Sequence, residues 1–152
     1  MPDGTTTKPA PEMDWHAMQQ ELIHQIRTEG RPVTGWKAGE PVLVLETVGA
    51  KTGQTRMVPL NYSRDGERYI VTASKGGAPT HPAWYHNLLA DPVAVVDVDR
   101  ARFQVRATIA EGAERQRLWD QHIAVNPGIG EYPKKTDRVI PVVILERIAS
   151  SE

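Results

Sequence analysis

The chain has 152 residues and no cysteine, which excludes disulfide frameworks, cysteine-ligated zinc, iron–sulfur clusters and thiol nucleophiles together. A cytoplasmic setting is expected. Long apolar runs are also missing: nothing approaches the roughly 18 residues of a membrane span, and Met1 to Pro11 has no signal-peptide core. Net charge is nearly absent at −1, whereas a general nucleic-acid binder carries a clear basic excess. No nucleic-acid partner is expected. The five histidines, at 16, 24, 81, 86 and 122, lack metal-ligand spacing, and no metal site is expected. There is no Gly-x-Ser-x-Gly elbow, no Walker A loop and no Gly-x-Gly-x-x-Gly turn, which disfavours covalent hydrolase chemistry and nucleoside-triphosphate or NAD sites.

What is present suits one small globular domain, spanning 13–152 behind a Pro- and Thr-rich tail, 1–12, that is expected to be flexible. Asp14 is a good N-cap, after which Trp15, Met18, Leu22, Ile23 and Ile26 recur at helical spacing until Gly30 and Pro32. That face is expected to pack on the core. Peripheral membrane contact is its second reading, disfavoured because the polar side mixes both charge signs. From Pro41 the period becomes two. Strands are expected over 41–47, 57–63 and 68–74, the last two joined by Arg64-Asp65-Gly66-Glu67 as a hairpin, with the third strand pairing with the second. A short helix follows Pro82 with Trp84, Leu88 and Leu89 as its apolar face, stopped by Asp91-Pro92. Then come a hairpin over 93–98 and 102–109, a helix over 112–125 with Leu118, Trp119 and Ile123 inward, and a strand over 139–145. Five or six strands, mostly hairpin-linked, imply a mainly antiparallel sheet that curls to protect its edges. The fold class is α+β, a small barrel with flanking helices.

The near-zero charge hides a local excess. Residues 51–75 carry net +3 and the rest of the chain −4. Arg64 and Arg68 belong to a solvent-facing turn, leaving Lys51, Arg56 and Lys75 beside two glycine turns, Gly49 to Arg56 and Ser74 to Ala78. Glycine lets successive N–H groups point one way, which makes a nest for an anion. Whether both turns lie at the same end of the sheet depends on register. Beyond them, His81-Pro82-Ala83-Trp84-Tyr85-His86-Asn87 is dense in rings, either a packing helix or a wall for a flat ligand.

Taken together, Gly49-Ala50-Lys51-Thr52-Gly53-Gln54-Thr55-Arg56, Pro59-Leu60, Ala73-Ser74-Lys75-Gly76-Gly77-Ala78, Pro82-Ala83-Trp84-Tyr85-His86-Asn87-Leu88, Thr136-Asp137-Arg138 and Ile140-Pro141-Val142 resemble the deazaflavin-dependent nitroreductase family of actinobacteria. The likeness spans about residues 41–146. It implies a split β-barrel of the FMN-binding kind that holds reduced coenzyme F420, whose tail carries a phosphate and several glutamates. It also implies a hydride transfer to a quinone, or to a related conjugated or nitroaromatic acceptor. By the resemblance Lys51, Thr52, Gly53 and Arg56 grip the tail. Pro59, Ser74, Lys75, Gly76, Gly77, Ala78, Pro82 and Trp84 complete the cofactor site. Ser74 and Tyr132 are candidates for hydrogen bonding or protonating the anion that hydride transfer leaves. Asn61, Asn126, Ile129 and Tyr132 are expected to face the substrate, in a pocket poorer in tyrosine than that of nitroimidazole-reducing relatives. Two alternatives stand beside this: an FMN-dependent oxidoreductase on the same barrel, and a cofactor- or lipid-binding module without turnover. A homodimer is a further expectation, since one small core leaves room for a second subunit to complete the site.

Overall fold

A computed structural model describes residues 14–148; the tail 1–12 and residues 13 and 149–152 of the expected domain lie outside the described residues. Helix α1 (Trp15–Glu29) starts as its sequence requires, with the Asp14 carboxylate accepting the Ala17 N–H, and ends at Gly30 with φ +88°. Strands β1 (Val42–Val48), β2 (Thr55–Asn61), β3 (Ser63–Asp65) and β4 (Arg68–Thr72) follow. A 3₁₀ turn (Lys75–Gly77) then leads to helix α2 (Ala83–Ala90), the hairpin β5 (Val93–Val98) and β6 (Ala101–Ile109), and helix α3 (Gly112–Val125). A long 3₁₀ segment (Pro127–Lys135) and strand β7 (Val142–Arg147) close the described chain.

The expected strand 57–63 is two strands. It breaks at Tyr62, whose N–H turns aside to the Pro41 carbonyl, so of its residues only Ser63 pairs with β4, continued by Arg64 and Asp65 of the expected turn, while the stretch up to Asn61 pairs with β1. The sheet order is therefore β2-β1-β5-β6-β7-β4-β3, seven strands with every neighbour antiparallel. Its two edges, β2 and β3, are one bent stretch of chain. The sheet must curl until they meet, and a split β-barrel results.

Strand direction alternates across an antiparallel sheet, so β1 and β4, four places apart, run the same way. The turn leaving β1 and the segment leaving β4 must then emerge at the same end of the barrel. This places the two basic turns together.

Alternation along each strand divides the core. Leu43 and Leu45 of β1, Val71 of β4 and Val143 and Leu145 of β7 fill the barrel, joined by Trp84 and Leu88 of α2, which plug one end. The intervening residues face outward beneath helices: Val42 and Val44 under Leu22, Ile23 and Ile26 of α1, and Ile70, Val142 and Ile144 under Leu118 and Trp119 of α3. Three expected core positions differ: Trp15 and Leu89 are exposed and Met18 is half-buried. Val139, expected to open the last strand, is exposed because regular pairing starts only at Val142. Ile123 packs at the margin of the α3 cluster, and the face beside it buries His122 instead.

Candidate functional site

Two cavities meet at Lys75, which follows β4 and lines both, one beside the turn that leaves β1 and the other beside Glu40 and Pro41, which precede β1, and Asn61, which ends β2. The larger, about 860 Å³, is walled by Thr47, Gly49 to Thr52, Arg56 and Val58 on one side and by Pro82 to Trp84, His86 and Asn87 on the other. Its mouth carries the side chains of Lys51 and Arg56, both exposed, and none of the described salt bridges uses Lys51, Arg56 or Lys75. By contrast Arg68 is spent on Asp65 and Glu114, and Arg64 lies over the Tyr69 ring at 4.2 Å.

Asn87 clamps this cavity together. Its Oδ1 accepts the Ala50 N–H at 2.9 Å and its Nδ2 donates to Thr47 Oγ1 at 3.0 Å, so helix α2 is tied to the first basic turn. Sequence reasoning passed over Asn87 although it lies three residues after Trp84, on the same helical face. Inside the turn, a Cβ on Gly49 would stand 2.8 Å from Thr52 Oγ1, which accepts the Gln54 N–H. Only glycine lets the turn close so tightly.

The second cavity, about 660 Å³, is lined by Trp36, Lys37, Glu40, Pro59 to Asn61, Thr72, Ser74 and residues 125–129 with Tyr132. All four expected substrate residues, Asn61, Asn126, Ile129 and Tyr132, meet here with Ser74. Asn61 Nδ2 donates to Asn126 Oδ1 at 3.0 Å, and the Asn126 amide holds the Tyr62 carbonyl at 3.2 Å. Behind Asn126 lies His122, fully buried, its Nδ1 bonded to Ser63 Oγ at 2.9 Å and its Nε2 without a partner. Burial pushes its pKa down to about 4.

The cavities meet at the segment 73–78, of which Ser74 and Lys75 line them. Lys75 adopts φ +48°, an uncommon conformation for a side-chain-bearing residue, and donates to Thr80 Oγ1 at 3.3 Å. Arg138 holds the segment from behind: Nη1 donates to the Ala73 carbonyl at 3.1 Å, Nη2 to that of Ser74 at 2.8 Å and Nε to that of Ala78 at 2.8 Å. The same guanidinium lies 2.9 Å from His81 Nδ1, and burial and its charge together depress the His81 pKa. Arg138 carried no role in the sequence reading, because nothing in Thr136-Asp137-Arg138 says what it holds.

Some expected cofactor residues sit elsewhere. Pro59 and Ser74 line the second cavity, not the first. Gly53, Gly77 and Ala78 shape turns rather than walls. The Gly53 N–H closes the first turn onto the Gly49 carbonyl, and Ala78 donates to the Lys75 carbonyl. A Cβ on Gly77 would approach Lys135 Cβ to 2.8 Å, so this glycine admits the 127–135 segment. Gly76 lies between Lys75 and Gly77 in the 3₁₀ turn.

The larger cavity can hold a ligand that is flat at one end and anionic at the other. Trp84, Pro82 and Val58 form its apolar wall, and Lys51, Arg56 and Lys75 supply charge of the sign a phosphate and glutamate tail needs. Reduced coenzyme F420 has this form, and the residues present fit it.

Residues 17–147 match the family of F420H2-dependent quinone reductases. An F420H2-dependent quinone reductase of Mycobacterium tuberculosis is 42% identical over 123 residues, 79% of this chain and 83% of the relative. A solved F420H2-dependent reductase shares 40% identity and superimposes with a TM-score of 0.65, covering 70% of this chain and 94% of its own. A second solved relative, described as a domain-swapped dimer, is 35% identical with a TM-score of 0.67 and covers 91% and 100%. The chain belongs to the F420H2-dependent quinone reductase family, and its cofactor is the reduced deazaflavin.

Proposed function

We propose that this chain reduces quinones by binding the anionic cofactor tail in the 860 Å³ cavity and the acceptor in the 660 Å³ cavity. The observation that carries this reading is Lys75, the residue common to both walls. When bound, the deazaflavin supplies a hydride and the two electrons that travel with it. Lys51, Thr52, Arg56 and Lys75 then bind the tail, and Trp84 and Pro82 flank the ring. Ser74, at the boundary, and Tyr132 across the cavity donate hydrogen bonds to the acceptor's oxygen. Asn61, Asn126 and Ile129 shape the space for it, and a lining with a single tyrosine, Tyr132, suits a quinone, with nitroaromatics as a slower second class. Hydride transfer needs the acceptor held about 3–3.5 Å from its donor, so rigid walls matter more than new chemistry from the protein.

The test is direct. Protein mixed with reduced F420 and menadione should oxidise the cofactor, followed by its visible absorbance. Binding without oxidation supports a carrier, and FMN binding without deazaflavin binding overturns the cofactor assignment. We further read the active form as a cytoplasmic homodimer, supported by the domain-swapped relative; light scattering giving the monomer mass of 16.9 kDa would overturn it. Among the described residues, no helix is long and apolar enough to cross a membrane.

A further inference from the structure

The acceptor cavity carries three charged side chains, Lys37, Glu40 and Lys75. Lys75 stands at the boundary with the cofactor cavity. Lys37 comes from the segment between α1 and β1, and that segment is built rather than loose. Gln25 of α1 is buried and its Oε1 accepts the N–H groups of Val33 at 2.8 Å and Thr34 at 3.0 Å, while its Nε2 donates to Thr34 Oγ1 at 2.9 Å. The Gly39 N–H returns to the Pro32 carbonyl at 3.1 Å.

The Lys37 ammonium is held in turn. Nζ donates to Asn61 Oδ1 at 2.9 Å, lies 3.5 Å from Glu40 Oε1 and stands 4.9 Å from the centre of the Trp36 ring. Asn61 cannot turn its amide over, because its nitrogen already donates to Glu40 Oε1 at 2.8 Å and to Asn126 Oδ1. Its oxygen is therefore committed to a donor at the position of Lys37. A cation is placed beside an exposed tryptophan at the rim of the cavity, with about a quarter of its side chain (23%) open.

We propose that Lys37 is the catalytic acid of the acceptor cavity: it stabilises the oxyanion that hydride transfer leaves on a quinone and gives it a proton, with Trp36 flanking the acceptor ring. The inference rests on the quinone-reductase reading above. The quinone gains one hydride, hence two electrons and one proton, from the reduced cofactor, which is oxidised by two electrons. The negative charge left on the quinone oxygen takes a proton as an Nζ–H bond breaks and an O–H bond forms, giving the hydroquinone. Water at the open rim reprotonates the amine. A charged donor suits a developing oxyanion better than the neutral hydroxyls of Ser74 and Tyr132, which are left to orient the acceptor.

The first test needs no cofactor. The protein alone is titrated with 4-nitrophenol at a pH where the probe is half ionised, and the bound phenolate is read by its visible absorbance. Lys37→Met should weaken phenolate binding about tenfold, the scale of one lost charge contact, while Lys37→Arg keeps it. Unchanged binding in Lys37→Met, or a loss that follows Lys75→Met instead, overturns the proposal. The second test uses protein loaded with reduced F420 and menadione. Lys37→Met should lower kcat at least tenfold with cofactor affinity within about twofold of the parent protein. Lys37→Arg should fail to restore kcat, since a guanidinium holds its proton; full kcat in either variant overturns the proton step. Failure of the quinone-reductase reading would show differently, as a parent protein that neither binds the deazaflavin nor reduces menadione.

Discussion

The two cavities share one lysine and are otherwise built on different principles. The cofactor side comes from two short runs of sequence, 47–58 and 82–87, joined by the Asn87 clamp, and its binding groups are cations at a rim. The acceptor side gathers residues from four parts of the chain, 36–41, 59–61, 72–75 and 125–132, and its polar groups bond mainly to one another, from Lys37 through Asn61 and Asn126 toward His122. A ligand that is always the same polyanion can be held by charge at local turns. An acceptor is held by shape, and shape needs distant segments brought into register.

The contrast can be broken where the cavities meet. Arg138→Met removes the donor to three carbonyls, those of Ala73, Ser74 and Ala78, and should cost about 3 kcal/mol of stability by urea unfolding, since hydrogen bonds to a charged group contribute about 1.5–3 kcal/mol each and do not add fully. Both cofactor affinity and acceptor KM should suffer, because the segment 73–78 serves both sides.

Acid should strike the acceptor side. His122 has its pKa pushed down to about 4 from the ordinary 6.5, so the folded state favours the neutral ring. That contribution is complete above pH 6.5 and is lost as pH falls from 6.5 toward 4, up to about 3 kcal/mol. His81, also depressed, adds in the same direction. Denaturant unfolding at stepped pH should show the slope, and His122→Gln should remove most of it.

Charge should dominate on the other side. Lys75→Glu inverts a cation at the boundary and should weaken F420 binding by about thirtyfold, or about 2 kcal/mol, with the melting temperature little changed and the loss growing at low salt. Asn87→Ala leaves the Ala50 N–H and Thr47 Oγ1 without their partner, costing about 1–2 kcal/mol of stability and loosening cofactor binding several-fold. The smallest effect on the cofactor belongs to Asn61→Ala: acceptor KM should change several-fold while F420 affinity, by equilibrium titration, stays within about twofold.

The sequence by itself determined the helices, the hairpin turns and the chemistry of the cofactor side. Those features are local. The Asp14 cap, the Asp99-Arg100 turn with both residues at positive φ, and the basic turn at Gly49 to Arg56 each depend on neighbours a few positions away. The break at Tyr62 was not legible, because a strand of alternating residues reads the same whether it pairs with one partner along its length or with two in succession. That break decides the rest. It puts β2 and β3 at opposite edges, forces the sheet to curl, and sends the ends of β1 and β4 to one end of the barrel, where Lys51, Arg56 and Lys75 meet. Lys37, Asn87 and Arg138 acquire their positions only then, since their partners lie 24 to 65 residues away in sequence and no local pattern records a hydrogen bond that folding alone closes.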